Sequence, residues 1–210
     1  TENAFTVLAE VKRRLREGAD IKNFCIGQPD FDTPENIKQA AIMAIKEGKT
    51  GYTPSAGILE LQEAVAAMFS RTRRVEVKPE HVAVACGGKP FIYWSILCAT
   101  DFGTGDEVIY PNPGFPIYQS QIVCHGAKPV PLPLIEEKEF AFDVEDLKSK
   151  ITKNTKMLII NSPHNPTGGV LNKEELKAIA DLAIDHDFWV YSDEVYSTLA
   201  YDAPCQSIQS

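Results

Sequence analysis

The stretch Phe188–Tyr196, PheTrpValTyrSerAspGluValTyr, is an apolar run that ends in a carboxylate and, three residues later, a phenol. A short run without polar alternation reads as a strand buried on both faces, the pattern of a parallel sheet. Asp193, at the carboxyl end of such a strand, is well placed to face a ligand. If that ligand is a pyridine ring, the carboxylate keeps its nitrogen protonated and the ring becomes an electron sink. The same hexapeptide, Ser192–Ser197, also fits a metal ligand or a helix N-cap with no chemistry.

Three more strand-to-loop junctions lie upstream. MetLeuIleIle, Met157–Ile160, runs into AsnSerProHisAsnProThrGlyGly, Asn161–Gly169, where Pro163 and Pro166 stiffen a loop that aims the Asn165 amide at a ligand. Either X-Pro bond can be cis. HisValAlaValAla, His81–Ala85, runs into CysGlyGlyLysProPhe, Cys86–Phe91. Its glycine pair lets backbone approach an anion at the start of a helix, with Pro90 in the first turn. It matches neither the GxxxxGK[ST] phosphate loop nor GxGxxG. AspGluValIle, Asp106–Ile109, runs into TyrProAsnProGlyPheProIleTyr, Tyr110–Tyr118, which presents Phe115 to stack on a flat ligand or to fill the core.

Around these junctions strands and helices alternate. Strands are expected at His81–Ala85, Asp106–Tyr110, Ala127–Leu132, Thr155–Ile160 and Phe188–Ser192, with helices at Lys89–Thr100, Phe115–His125, Val144–Lys150 and Asn172–His186. Three helices are expected before them, at Phe5–Arg16, from Pro34 to about Glu47 with Thr33 as cap, and from Ser55 to about Thr72. Repeated βα units with apolar strands predict an α/β fold with a doubly wound, mostly parallel sheet.

The 210 residues carry a net charge of −8, which argues against a nucleic-acid or anionic-membrane binder. ArgThrArgArg, Arg71–Arg74, reads as a cluster complementing a helix C-terminus. No apolar run approaches membrane-spanning length, and the residues after Thr1 lack the pattern of a signal peptide. Five cysteines without CxxC spacing suggest free thiols in a reducing, cytoplasmic compartment. The four histidines do not cluster and no metal site is expected; His164, inside the Asn-Pro loop, is the one nearest the chemistry.

Six motifs, in this order along the chain, resemble the class I/II aminotransferases of fold type I, which use pyridoxal 5′-phosphate. They are IleGlyGlnProAspPheAspThrPro (Ile26–Pro34), GlyTyrThrProSerAlaGly (Gly51–Gly57), GlyGlyLys (Gly87–Lys89), the Pro-rich segment with Phe115, AsnProThrGly (Asn165–Gly168) and SerAspGluValTyr (Ser192–Tyr196). The resemblance implies that Asp193 pairs with the pyridine nitrogen. Tyr196 and Asn165 would bond the ring's phenolic oxygen, Phe115 would stack on the ring, and the backbone of Gly88 and Lys89 would bind the phosphate. Gly27, Phe115 and Asn165 would lie beside the substrate. Tyr52 would reach the cofactor phosphate of a neighbouring subunit, which implies a homodimer. The family often has tryptophan where this chain has Phe115, so an indole N–H donor is missing there.

The family's Schiff-base lysine and its substrate-binding arginine map beyond Ser210. None of Lys89, Lys173 and Lys177 takes the lysine's place. The resemblance therefore covers an N-terminal portion: residues 1–32 as an arm and part of a small domain, and residues 33–210 as an incomplete cofactor-binding large domain. Such a fragment is expected to be inactive alone, while the whole enzyme would pass an amino group between an amino acid and a 2-oxo acid. A C–S lyase or an aminocyclopropane carboxylate synthase-like enzyme shares these loops. A non-catalytic sensor domain ranks lower, since no basic helix-turn-helix precedes residue 33.

Overall fold

The described residues open with three helices, α1 (Ala4–Arg16), α2 (Glu35–Lys46) and α3 (Leu59–Arg73). The computed structural model describes residues 4–201 and 204–210. Two compact units make up the chain, Thr1–Ile58 and Leu59–Ser210. In the first, Glu10 binds Arg13 and Arg14 along the exposed side of α1. Thr33 does not cap α2; Pro34 itself is the N-cap, with extended φ −52° and ψ 140°, and no side chain closes that end. The opening residues Thr1–Asn3, read above for a targeting segment, lie outside the described residues.

The second unit is built on a five-stranded sheet. Its strands are β1 (Glu107–Asn112), β2 (Lys128–Ile135), β3 (Ala141–Phe142), β4 (Thr155–Asn161) and β5 (Trp189–Asp193), in the order β3-β2-β1-β4-β5. Every pairing is parallel except β2 with β3. The doubly wound, mostly parallel α/β sheet expected from the apolar runs is present. Residues 108–110 of β1 and 157–161 of β4 are buried without alternation because both faces are covered.

Successive side chains go to opposite faces. Val108, Tyr110, Met157 and Ile159 pack with Ile92 and Ile96 of α4 (Lys89–Ala99) and with Tyr118 and Ile122 of α5 (Ile117–Cys124). Ile109, Leu158 and Ile160 pack with Leu147 of α6 (Val144–Lys150) and with Leu176, Ile179 and Leu182 of α7 (Lys173–His186). From β1 the chain passes through α5 to β2 on one side, whereas β4 passes through α7 to β5 on the other. Between β1 and β4 the connections diverge, which places a ligand crevice at the carboxyl ends of these strands.

Three local expectations are corrected. His81–Ala85 joins no strand of this sheet: Pro79–His81 is a 3-10 turn, and the Val82 carbonyl accepts from the Gln62 side chain of α3 at 2.8 Å instead of from a neighbouring strand. The helix expected from Phe115 starts at Ile117, because a residue before proline, here Phe115 before Pro116, is pushed out of helical geometry. The helix expected from Ser55 starts at Leu59, after Gly57 at φ +103°. Glu136–Glu139 is the exposed turn joining β2 to β3, with Glu139 and Phe140 at φ 55° and 62°. All five cysteines are free. Among the described residues no helix is long and apolar enough to cross a membrane.

A buried carboxylate ties the base of the sheet. Glu107 accepts from Lys128, its register partner on β2, at 2.7 Å and from the Thr152 hydroxyl at 2.6 Å. Burial pushes its pKa up, but the Lys128 and Thr152 hydrogen bonds outweigh this and hold it below the ordinary carboxylate value. A lowered folded pKa means stability that is present above the unfolded value, about 4.3, and lost as pH falls through the folded one. Glu107→Gln is expected to cost about 1 kcal/mol in urea unfolding at pH 7. The gap between variant and parent should close as the titration is carried down through pH 4; a gap that stays constant in acid would contradict the assignment.

Candidate functional site

Asp193 is the last residue of β5 and stands level with Asn161, the last residue of β4. Four neighbours hold it. The Tyr118 hydroxyl donates to Oδ2 at 2.8 Å, and the Val195 N–H donates to Oδ1 at 3.3 Å. Its backbone carbonyl accepts from the Asn161 side-chain amide at 2.9 Å and from the Ser162 N–H at 3.2 Å. Tyr118 is 1% exposed, and its phenol is pushed well above its ordinary pKa by burial first and the Asp193 charge second. Tyr191 is shifted by the same two causes, to about 12. Both phenols therefore stay protonated across physiological pH, next to a carboxylate.

The Asn-Pro loop is held by the same Asn161. Its Oδ1 accepts from the Asn165 N–H at 2.8 Å. Beyond it the loop closes on itself, His164 N–H to the Gly169 carbonyl and Gly168 N–H to the His164 carbonyl, each at 2.8 Å. Gly168 sits at φ +79°, which favours glycine. Ser162-Pro163 and Asn165-Pro166 are both cis, as is Asn112-Pro113. The Asn165 side-chain amide faces the Tyr196 hydroxyl, to which it donates at 3.4 Å. His164 is buried, with Nδ1 2.8 Å from the Thr167 hydroxyl, and burial lowers its pKa.

At the third junction Gly88 is the N-cap of α4, and Pro90 lies in the first turn as expected. Gly87 needs its freedom, at φ +85°. Gly88 does not, at φ −82°, yet a Cβ built there would meet nothing within 4 Å. Backbone at the head of a helix is thus left open to an incoming anion. Lys89 lies 5.8 Å from the centre of the Phe115 ring, and that ring meets Tyr118 edge-on at 5.7 Å.

These junctions converge. Gly88, Lys89, Phe115, Asn165, Asp193 and Tyr196 all line one cavity of about 220 Å³, together with Ile92, Tyr118, Asn161, Tyr191 and Val195. Sequence reasoning singled out the first six. It passed over Tyr118, which in the sequence reads as a core aromatic of the helix after Phe115 and whose hydroxyl meets Asp193 only in the fold. It also passed over Asn161, whose signal is its place at the end of a strand next to that of Asp193. Gly27 and Tyr52 belong to the Thr1–Ile58 unit; the Tyr52 ring is fully exposed and a Cβ on Gly27 would meet nothing within 4 Å. Among the described residues no group of three or more His, Cys, Asp or Glu could hold a metal ion.

The family model for aminotransferase class I and II matches residues 19–209. The chain is 43% identical over 196 residues to the probable aspartate/prephenate aminotransferase of Aquifex aeolicus, covering 93% of this chain and 49% of that protein. It is 42% identical over 195 residues to the aspartate aminotransferase of Pyrococcus horikoshii, with the same coverage of 93% and 49%. Among solved structures, aspartate aminotransferase from Thermus thermophilus with maleate superposes with TM-score 0.93 at 40% identity, over 98% of this chain and 53% of that one. Alanine aminotransferase from Pyrococcus furiosus superposes with TM-score 0.94 at 31% identity, over 99% and 53%. The chain spans about half the length of the relatives it matches.

Asn161 ties β5 and the Asn-Pro loop together, so its loss should be felt on both sides. Asn161→Ala is expected to speed hydrogen exchange at the Asn165 amide by about tenfold or more, the worth of roughly 1.4 kcal/mol for one buried hydrogen bond. Unchanged protection at Asn165, measured by NMR, would show that the loop holds its shape without it.

Proposed function

Because the chain belongs to the class I and II aminotransferase family, we propose that the whole protein is a pyridoxal 5′-phosphate-dependent aminotransferase. It moves an amino group between an amino acid and a 2-oxo acid. One observation carries this reading: six residues from four separate loops, each picked out for cofactor contact, line a single cavity at the carboxyl ends of the parallel strands. Relatives named for aspartate, for aromatic amino acids and for alanine all match, which supports the substrate class rather than one donor.

The residues present fit the cofactor. Open space at Gly88 and the head of α4 suit a phosphate, which the Gly88 and Lys89 N–H groups would bind. Phe115 offers a flat face, and Asn165 and Tyr196 offer a side-chain amide and a phenol for a phenolic oxygen. Asp193 offers the carboxylate that a protonated ring nitrogen requires. Bound there, the pyridine ring withdraws electrons from the substrate α-carbon. Asp193 holds a proton at the ring nitrogen, while Tyr118 holds Asp193 in place. Phe115 and Ile92 add apolar lining to the cavity.

Three further assignments rest on the motif resemblance. Gly27 lies beside the substrate carboxylate. Tyr52 of one subunit serves the phosphate of the other in a homodimer. Residues 33–210 contribute the larger part of the cofactor-binding domain, with residues 1–32 as arm and small-domain segment.

Two experiments on the complete protein test this. Asp193→Ala should lower the turnover of an amino acid with 2-oxoglutarate on the order of 10²–10³-fold, as for other preorganised electrostatic groups, while Asp193→Glu keeps a trace. Near-normal turnover in Asp193→Ala would mean the strand-end carboxylate has another role. For the dimer, subunits carrying Tyr52→Phe are mixed with subunits carrying Asp193→Ala. One hybrid site then bears both lesions and the other neither, so about one native site per dimer should return. No recovery, with subunit exchange verified by mass, would place Tyr52 outside the neighbour's site.

A further inference from the structure

Arg73, read from the sequence as one of a basic cluster closing a helix, sits in the last turn of α3 and makes a further contact from there. From the last turn of α3 its guanidinium forms an ion pair with Glu194, and the two side chains are only 13% and 14% exposed. The guanidinium carbon also lies 5.2 Å from the centre of the Phe69 ring. Glu194 is saturated from three segments. Its Oε2 takes Arg73, while its Oε1 accepts from the Ser192 hydroxyl at 2.9 Å and from the Ser207 hydroxyl at 2.7 Å. Its backbone carbonyl accepts from the Ser197 N–H at 2.9 Å, closing the turn that carries Tyr196.

Glu194 directly follows Asp193, and successive side chains at a strand end point to opposite sides. Asp193 lines the cavity and Glu194 does not. A lever results: one side chain of the pair is locked in a buried charge cluster, the other faces the ligand. An ion pair this buried is weak as a source of stability, because desolvation offsets much of its attraction, but it is strict about geometry. Asn161 and Ser162 fix the Asp193 carbonyl from the β4 side. The Arg73 pair fixes the next residue from the α3 side.

We propose that the Arg73–Glu194 pair is a positioning clamp that sets the aim of Asp193 and Tyr196 into the cavity. This rests on the reading of Asp193 as the partner of the cofactor's ring nitrogen. Neither Arg73 nor Glu194 touches the ligand; both act through the turn they anchor.

The test uses the complete protein and pyridoxal 5′-phosphate itself, with Arg73→Met, Glu194→Gln, the double variant and Arg73→Lys. Cofactor affinity is read by absorbance titration well below each variant's melting midpoint, and hydrogen exchange is read at the buried Ser162 amide, which donates to the Asp193 carbonyl. The clamp predicts about a tenfold loss of affinity in either single variant, no further loss in the double, and a smaller loss in Arg73→Lys, since members of one unit are non-additive. Ser162 exchange should quicken in the same order while the Ile109 amide in β1 stays unchanged. A purely structural pair would instead lower the melting midpoint and leave affinity within twofold of the parent, which overturns the proposal. If the charge-removing single variants do not fold, Arg73→Lys and the double variant decide it on the same two readouts. Asp193→Ala is titrated alongside. If that substitution leaves affinity and spectrum unaltered, the cofactor reading fails, and Ser162 exchange alone then judges the clamp.

Discussion

One side chain, Asn161, couples the two loops on which the site depends. Its amide nitrogen donates to the Asp193 carbonyl and its oxygen accepts the Asn165 N–H. An asparagine can do this because it carries a donor and an acceptor on one planar group; aspartate would offer only acceptors to a carbonyl that needs a donor. The parallel register of β4 with β5 brings Asn161 level with Asp193, so the link is made at the strand ends. Strand pairing thereby becomes side-chain aim: any slip of β5 against β4 would move the carboxylate and the loop amide together.

The sheet supplies the rest of the constraint. Two apolar clusters, one on each face, clamp β1 and β4 as central strands, and the reversal of connection between them leaves their carboxyl ends uncovered by helices. Loops there are free to carry polar groups while the core below stays dry. The arrangement explains why the chemistry-bearing residues sit at the strand ends and in the loops that follow them.

Much of this was legible in the sequence because it was written as contrast. Unbroken apolar runs such as Met157–Ile160 ending in Asn/Pro/Gly clusters marked the strand ends, and the six cavity residues followed from those ends and from the motif order. What escaped was long-range. Tyr118 looks like a core aromatic until the fold brings its hydroxyl to Asp193, 75 residues away. Arg73 looks like surface charge until Glu194 meets it. The run His81–Ala85 has the composition of a strand, but pairing is a property of two segments, and a single sequence shows only one of them.

The surroundings of Asp193 also have an electrostatic logic that pairwise contacts hide. Its neighbours in the cavity include three phenols, Tyr118, Tyr191 and Tyr196, and no described acidic side chain besides its own. Where a shift is resolved, in Tyr118 and Tyr191, burial and the Asp193 charge drive the phenol up, since a second anion beside the first is disfavoured. By reciprocity, phenols that cannot ionise remain dipoles oriented by the carboxylate. Tyr118, which donates to it directly, lowers the cost of keeping a charge where water is scarce. A carboxylate supported by neutral donors keeps its full attraction for a cation. One supported by a lysine or arginine would already be neutralised. Arg73 is paired with Glu194 next door, while the Asp193 carboxylate accepts from neutral donors, the Tyr118 hydroxyl and the Val195 N–H.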